Sequence, residues 1–406
     1  MGYHRLTLLN PHADDFIKRP VSFWLTRRRA LKKYECLLDE PNARGEMVDI
    51  LIDGTQSSLL RDAVFFRLPR WLRLVLLRIE VVIWIRINEL NGRLLVHWSP
   101  DTIKDRSFLY LFSYKSCVGV FQQRRGAIEK FEKKLINLSH YFIRTEEKAN
   151  NIASLQNVHL VADSDIRENP YFQRFFPAGG RIIVVPFAIN GRFRASKPLS
   201  ERAGICAATG SFHNLSEEFP ALYYRDFMDF YRSDTYHPVR KLLYFAKDEI
   251  ASWLTCRISP YREMKVRAPI LARAMTWLRL DIQQAQYFSF DIVTLYNNHK
   301  FAIVGEELSG CPAVGFFEAM ACGCVMLGHQ GSFYKGLGLE ANVNYLTHDG
   351  TITGIRSVIE QTLNTPGRIE DISRAGLAYI AHRCVPSAVW DAFQYELNEL
   401  APERQP

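Results

Sequence analysis

Short apolar runs alternate with amphipathic, helix-like segments along the first half of the chain. A polar segment of helical pattern at residues 146–155 separates two of these runs, which is the strand, helix, strand order of a parallel sheet. We therefore predict a doubly wound α/β domain. The predicted strands are residues 47–53, 93–99, 140–145, 158–163 and 181–187.

The second half repeats this rhythm after a stretch rich in Gly, Pro, Ser and Arg at residues 188–204, where we place the domain boundary. The sequence predicts two Rossmann-like domains, 1–190 and 191–380. The segment 381–406 contains an amphipathic helix, at 387–400, that is predicted to cross back to the first domain. The other predicted elements are strands at 205–209, at either 288–293 or 300–305, and at 324–328, and helices within 227–252 and around Glu318.

The segment 65–90 is apolar enough to suggest a transmembrane helix, but charged residues interrupt it. A charge at the centre of a bilayer costs on the order of 3 kcal/mol, so this segment is not expected to span a membrane. Its arginines and tryptophans suit a helix that lies in the headgroup plane of an anionic membrane. A core helix that runs into a buried strand explains the pattern equally well. The interrupting charges include Arg70, Arg73, Arg78, Glu80 and Arg86.

Composition and charge narrow the class of protein. The chain has 406 residues, of which 48% are hydrophobic, so it is long enough for two domains with separate cores. A net charge of +8 favours anionic partners such as nucleotides or phospholipid surfaces. Because the sequence has no zinc-finger spacing, no aromatic RNA-binding strand and no long basic tail, no nucleic-acid partner is expected.

The eight cysteines are scattered, with no C-x-x-C pair and no histidine at ligand spacing. This pattern argues against a zinc site and favours a reducing compartment. The first residues lack the apolar run of a signal peptide. We therefore expect a cytoplasmic protein, at the inner face of the cell membrane if segment 65–90 is a peripheral membrane contact.

An acidic residue, Glu318, stands within the apolar stretch 310–328. A helix interior of this composition normally carries no charge, so the carboxylate faces either water or a ligand. The N-terminal half of such a helix lies at the carboxyl ends of the strands, where open α/β sheets bind ligands. A carboxylate there repels phosphate but accepts the paired hydroxyls of a ribose. The pattern predicts a nucleotide site with Glu318 on the sugar.

The sequence GFFEAMACGCVMLG, residues 315–328, closely resembles the donor-site motif of GT-B glycosyltransferases, whose glutamate holds the ribose of the donor nucleotide. Residues 181–193 resemble the exit from the first domain of that fold, and residues 207–215 resemble the loop that opens the second. The resemblance implies an α/β protein with two Rossmann-like domains facing across a cleft. It places Gly315, Phe316 and Glu318 at the donor nucleotide.

Gly310 departs from the commonest retaining families, which carry a second glutamate at this position, and the proline that usually follows the motif is also missing. Residues 300–328 resemble bacterial fucosyltransferases and exostosin-like enzymes as well. In that comparison Lys300 and Glu307 take the upstream positions, and Glu307 faces the donor sugar. Ala319 stands where that family has a lysine, so another group must contact the phosphates.

Cations and backbone amides of the second domain are candidates for binding the donor diphosphate. Negative charge grows on this leaving group as the glycosidic bond breaks, so positive groups there stabilise the transition state more than the ground state. Each of these cations also suits a solvated helix face. The candidates are Arg240, Lys241, Lys300 and the amides that follow Gly210, including Ser211.

On the acceptor side, His97 and Asp163 lie at the ends of predicted strands of the first domain. A base at such a position deprotonates the acceptor hydroxyl in an inverting transfer. A strand-end aspartate is also a common N-cap of the next helix, so a structural role stays open. With Glu307, these residues are the catalytic candidates. No metal site is predicted, because the one D-x-D match, Asp163–Asp165, lies in the first domain, away from the donor site.

The sequence thus predicts a metal-independent glycosyltransferase, of hexosyltransferase type, with no cofactor. Its substrates would be a nucleotide-diphosphate sugar and a hydroxyl of a glycan or lipid-linked acceptor in cell-surface polysaccharide biosynthesis. Two alternatives stay open. A nucleotide-sugar epimerase of the same architecture would act without an acceptor. A catalytically silent glycosyltransferase-like subunit would only bind a partner or membrane, and Gly310 is the residue that favours it.

Overall fold

The computed structural model describes residues 4–13, 36–57, 60, 62–111, 116–139, 141–176, 181–212, 225–260 and 290–401. These residues form two parallel β-sheets with helices packed against them. Strands up to residue 184 belong to one sheet, and strands from residue 203 onward belong to the other. The α/β class with two parallel sheets is therefore confirmed.

The first sheet contains seven strands among the described residues, in the order β3-β2-β1-β4-β5-β6-β7, and all their pairings are parallel. Residues such as Leu8, Ile50 and Tyr110 are fully buried because a parallel sheet is covered on both faces. The strands are β1 (Thr7–Leu9), β2 (Val48–Leu51), β3 (Leu94–His97), β4 (Phe108–Leu111), β5 (Lys133–Asn137), β6 (Val158–Ala162) and β7 (Ile182–Val184).

The apolar segment 65–90 contains a single long helix, α3 (Arg70–Ile87), which ends at Asn88 instead of running into a strand. Leu77, Val81 and Trp84 are the buried apolar residues through which it packs. No helix among the described residues combines the length and the apolar character needed to cross a membrane. The other helices of this half are α1 (Cys36–Ala43), α2 (Asp62–Phe65), α4 (Phe121–Ile128), α5 (Thr145–Ala153) and α6 (Pro170–Phe175).

The second sheet has the order β12-β11-β10-β8-β9 and is also parallel throughout its described strands. Of the two alternatives for its central strand, the segment 300–305 is correct. Asp291 instead caps a helix, accepting hydrogen bonds from the amides of Val293 and Thr294. The strands are β8 (Ala203–Phe212), β9 (Leu254–Pro260), β10 (His299–Ile303), β11 (Val325–Gly328) and β12 (Leu346–Thr347).

Eight helices of the described residues follow in the second half of the chain, and the last one crosses back to the first sheet. Trp390, Phe393 and Leu397 of this last helix lie in the same buried cluster as Ile50 and Tyr110 of the first sheet. The helices are α7 (Arg225–Tyr231), α8 (Pro238–Phe245), α9 (Ile292–Asn297), α10 (Val314–Ala321), α11 (Ser332–Gly336), α12 (Ile352–Leu363), α13 (Arg368–Arg383) and α14 (Pro386–Leu400).

The predicted strand at 140–145 is wrong. Residues 141–144 form a turn, in which Arg144 has φ 49°, and Thr145 begins α5. The apolar character that suggested a strand comes from Tyr141 and Phe142, which are buried in the first core as loop residues. The strand lies earlier, at β5, where two lysines at its start weaken the apolar signal.

Candidate functional site

The carboxyl edges of the two sheets meet in one region of the molecule. The loop that follows β10 packs directly on the loops that follow β6. The side-chain amide of Asn169 donates to the carbonyl oxygen of Ser309 over 3.3 Å, and Ser164 Oγ lies 3.5 Å from Cys311 Sγ. Because loops at carboxyl ends of parallel strands form the ligand crevice of α/β folds, this meeting point is the candidate active site.

A small cavity lies between these loops, with room for about one water molecule and therefore for a single hydroxyl group. Both halves of the chain line it. From the first half come residues that follow β5 and β6, and from the second half come residues that follow β10. The lining residues are Leu138, Ser139, Tyr141, Phe142, Asp163, Ile166, Glu307, Ser309 and Cys311.

Glu307 is held in place in the second-domain wall of the cavity. The hydroxyl of Tyr236 donates a short hydrogen bond to Oε2 of this carboxylate. The backbone loop is closed by a bond of 2.8 Å from the Gly310 amide to the Glu307 carbonyl. Gly310 has φ 87°, a left-handed conformation that favours glycine, so a glutamate there would be strained. The loop geometry thus accounts for the departure at Gly310.

Asp163 lies in the opposite wall, directly after β6. It is 9% exposed, and Ser139 Oγ lies 3.4 Å from its Oδ2. The other aspartate of the D-x-D match, Asp165, is paired with Arg167 at 2.6 Å, and hydrogen bonding to that arginine lowers the pKa of Asp165. Asp163 and Glu307 therefore share one cavity although they come from different sheets.

Glu318 lies in the second turn of α10 and is partly buried. Its carboxylate makes no hydrogen bond or ion pair with any residue in the described ranges. Burial raises the pKa of Glu318 to about 7, and the positive charge of Arg192 partly opposes this effect. A partly desolvated carboxylate with no hydrogen-bond or ion-pair partner among the described residues is the arrangement expected of a group that binds a ligand.

Neither a protein-family profile nor a curated protein matches the sequence. The following solved structures match this chain over nearly the whole length of both chains. HepE of Anabaena, solved in complex with UDP, is 11% identical with a TM-score of 0.55, covering 98% of this chain and 100% of that one. A glycosyltransferase of Rickettsia africae is 9% identical with a TM-score of 0.52, covering 98% of each chain. Sucrose-phosphate synthase of Thermosynechococcus elongatus is 13% identical with a TM-score of 0.50, also covering 98% of each chain.

The chain has the GT-B fold. Within this fold, Gly315 and Phe316 belong to the core of the second domain. A Cβ atom on Gly315 would lie 3.0 Å from Val304, so glycine lets α10 pack closely on the segment after β10. The ring of Phe316 is 2% exposed and contacts Tyr334 and Tyr345. Gly315 and Phe316 therefore fix the position of α10, and Glu318 is the polar residue of this helix.

Arg240 connects the carboxyl ends of β8 and β10. Its guanidinium donates to the carbonyls of Ser211, at 2.8 Å, and Gly305, at 3.0 Å. A Cβ atom on Gly210 would lie 2.8 Å from Arg240 Nε, so only glycine permits this approach. The structure therefore brings Gly210, Ser211 and Arg240 together at the carboxyl edge of the second sheet.

Three other predicted residues lie away from the cavity or are paired elsewhere. Lys241 binds Asp234 at 2.6 Å. Lys300 is the second residue of β10 and lies toward the amino end of that strand, opposite the carboxyl edge. His97 lies on β3, five strands from β6, which is roughly 24 Å at the usual strand spacing. It is paired with Asp49 at 2.7 Å.

Sequence reasoning missed two residues that act on the candidate carboxylates. Tyr236 binds Glu307 from a position 71 residues earlier in the chain. Arg192, in the segment between the sheets, carries the positive charge that partly offsets the rise in the pKa of Glu318. No local pattern marks Tyr236, whereas Arg192 was visible as part of the basic stretch at 188–204.

Proposed function

We propose that this GT-B protein transfers a sugar from a nucleotide-diphosphate sugar to an acceptor hydroxyl. The observation that carries the proposal is the partly buried carboxylate of Glu318, which has no hydrogen-bond or ion-pair partner in the described part of the chain and lies on the helix that follows the central strand of the second sheet. Such a group suits the two hydroxyls of a ribose, which satisfy its oxygens without adding charge. Structures of HepE with UDP and with UDP-glucose support a uridine nucleotide as the first donor to test.

The donor diphosphate would lie at the edge formed by Gly210, Ser211 and Arg240. The guanidinium of Arg240 is buried and already oriented by backbone carbonyls, so its charge acts from a fixed position. A fixed positive charge stabilises the growing negative charge of the leaving group without reorganisation. In this arrangement Arg240 acts mainly through its electrostatic field.

The acceptor hydroxyl would lie in the cavity between Asp163 and Glu307. Asp163 is the candidate base that removes the acceptor proton, and Glu307, oriented by Tyr236, is the candidate group facing the donor sugar. His97 lies too far along the first sheet to join them and is better explained as a structural partner of Asp49. We propose hexosyl transfer without a metal ion, since Asp165 is engaged by Arg167.

We further propose that the acceptor is a glycan or lipid-linked saccharide at an anionic membrane surface in cell-surface polysaccharide biosynthesis. Helix α3 exposes an apolar stripe that includes Trp71 at 67%, Ile79 at 50% and Val82 at 51%. Arg78 is exposed on the same face, whereas the only acidic residue of the helix, Glu80, is buried. An apolar stripe edged by arginines suits the headgroup region of an anionic leaflet.

The nucleotide site is tested by thermal shift with UDP, GDP, ADP, CMP and dTDP on the wild type and on Glu318→Ala. Glu399→Ala, which removes an exposed carboxylate from α14, is the matched control. One nucleotide should stabilise the wild type and the control, by roughly 2.7 kcal/mol at a hundred times its dissociation constant, and stabilise Glu318→Ala less. Absence of any shift in the wild type would favour the silent-subunit alternative. Conversion of the sugar nucleotide without an acceptor would favour the epimerase.

The membrane contact is tested by sedimentation with vesicles of phosphatidylcholine alone or with added phosphatidylglycerol. We expect binding only to the anionic vesicles and its loss in Ile79→Glu. Val343→Glu, at an apolar residue that is 47% exposed in the second half, is the control and should bind as the wild type does. Equal binding of the two variants would contradict a contact through α3.

A further inference from the structure

Glu306, His329 and His348 form a cluster at the carboxyl edge of the second sheet. They directly follow or nearly follow β10, β11 and β12, which are neighbouring strands. Each offers one ligand atom, and these atoms all lie within 4.8 Å of one another. We propose that this cluster binds one divalent transition-metal ion of the zinc type. The proposal is independent of the proposed glycosyl transfer.

The carboxylate of Glu306 is oriented by its surroundings. Its Oε1 accepts a hydrogen bond of 2.7 Å from the amide of His329 and a short one from the hydroxyl of Tyr334. Its Oε2 is buried and has no hydrogen-bond partner in the described part of the chain. The same oxygen lies 3.8 Å from His329 Nε2, too far for a hydrogen bond but suitable for two ligands of one ion.

His348 contributes a second buried atom that lacks a partner, its Nε2. The His348 and His329 rings lie next to each other, with centroids 4.6 Å apart. Buried polar atoms without partners are rare in folded proteins, and here two of them belong to one cluster. A metal ion accepts lone pairs from both, and a single water molecule is the simpler occupant that the experiment must exclude.

Metal binding requires one rearrangement at His348. Its Nδ1 now accepts a hydrogen bond of 3.0 Å from the amide of Gly350. If Nε2 binds a metal ion, the ring proton moves to Nδ1, and this hydrogen bond to Gly350 must be given up. Because Gly350 has φ 86° and no side chain, its peptide can reorient with little steric hindrance.

The donor set selects the metal. Two imidazoles and one carboxylate suit zinc and similar ions, whereas magnesium and calcium prefer oxygen ligands alone. Three protein ligands leave a fourth position for water, and the side chain of His329, at 38% exposure, gives access to it. An ion here would join the ends of three strands and stabilise the folded state.

The test is a zinc titration of chelator-treated protein, with the bound metal counted and the melting temperature recorded. The wild type should bind one ion per chain and melt at a higher temperature with zinc than without. Cobalt substituted for zinc should give a spectrum without thiolate charge-transfer bands, which excludes binding by the cysteines. Absence of stoichiometric binding would leave water as the occupant and overturn the proposal.

Two variants keep the local structure and remove one ligand each. Glu306→Gln retains an oxygen for the Tyr334 and His329 donors, and His348→Asn retains an oxygen that can accept from the Gly350 amide. Each should weaken zinc binding by more than the roughly 100-fold that loss of an outer partner costs at most. His382→Asn, at an exposed histidine of α13, is the control and should bind zinc normally. Normal binding by both ligand variants would overturn the proposal.

Discussion

Helices α3 and α10 are both strongly apolar and each carries one glutamate, but the fold treats them oppositely. In α10 nearly all the apolar side chains are covered, with Phe317 fully buried. In α3 much of the apolar surface is exposed, and Val82 is 51% exposed. For the two glutamates the order is reversed, because the one in α3 is bonded to a described residue and the carboxylate of the one in α10 is not. Glu80 of α3 is buried and accepts a short hydrogen bond from Ser57, whereas the carboxylate of Glu318 in α10 makes no hydrogen bond or ion pair with a described residue.

An apolar segment that contains one glutamate can therefore have either of two roles, and the sequence pattern does not distinguish them. In α3 the glutamate has a structural role, and the exposed apolar stripe is the surface available to a partner. In α10 the apolar residues have the structural role, and the carboxylate of Glu318 is the group available to a ligand. In each helix the functional candidate is the group that the tertiary structure does not satisfy.

The largest expected difference between the helices is in the stability effect of trimming an apolar side chain. Phe317→Ala should lower the free energy of unfolding by about 3–5 kcal/mol, because the ring packs against Phe187 and Tyr379 and a cavity would remain. Val82→Ala, on the exposed face of α3, should change it by less than about 0.5 kcal/mol. Urea unfolding measures both. Comparable losses would show that α3 is covered in solution.

The next effect is on catalysis. Glu318→Ala should reduce kcat/KM for the donor by at least about 100-fold, close to 2.7 kcal/mol of transition-state stabilisation, because the ribose loses its acceptor. Unfolding by urea should show that the variant is at least as stable as the wild type at neutral pH, so the lost activity does not come from unfolding. If the variant kept full activity, Glu318 would not be part of the donor site, and the glutamates of both helices would have to be regarded as structural.

A smaller effect is expected from Glu80→Ala. This change leaves the hydroxyl of buried Ser57 without its acceptor and opens a small cavity, so the free energy of unfolding should fall by about 2 kcal/mol. Donor turnover by the folded protein should stay unchanged. If turnover fell instead with no loss of stability, Glu80 would have to be regarded as a functional residue.

The smallest predicted effect is a pH dependence of stability. Burial raises the pKa of Glu318 to about 7, above its value of about 4.3 in the unfolded chain. The folded state therefore holds the proton more tightly, and the wild type loses stability as pH rises from about 4 to 7. Glu318→Gln should remove this loss, on the order of 1 kcal/mol after allowance for partial exposure. Parallel stability curves for the two proteins would contradict the shift.

Local patterns in the sequence predicted much of the fold. Alternation of apolar runs and helical segments predicted the two parallel sheets, and the motif at 315–328 predicted both α10 and β11. The prediction failed at 140–145, where buried aromatic residues occupy a loop, because burial alone does not distinguish a strand from a packed turn. It also missed β1 and β4, whose signal was not separated from the surrounding apolar residues.

For the candidate site, Asp163, Glu307 and Glu318 were visible from the sequence because strand ends and motifs mark them. Their surroundings were not. Tyr236 is 71 residues from its partner Glu307, and the amide of His329 reaches Glu306 across 23 residues. His97 looked as good as Asp163 in the sequence, and the strand order alone separates them.

The sequence by itself determined the periodic elements and the α/β class, the GT-B architecture that the resemblance of residues 315–328 implied, and the position of Glu318 within a helix. The tertiary structure alone decided which side chains meet in the cavity, which face of α3 stays exposed, and that Glu306, His329 and His348 converge. The reason is physical. Helix and strand periodicity depends on neighbours a few residues apart, whereas proximity between loops depends on the order in which strands pair and on how two sheets pack.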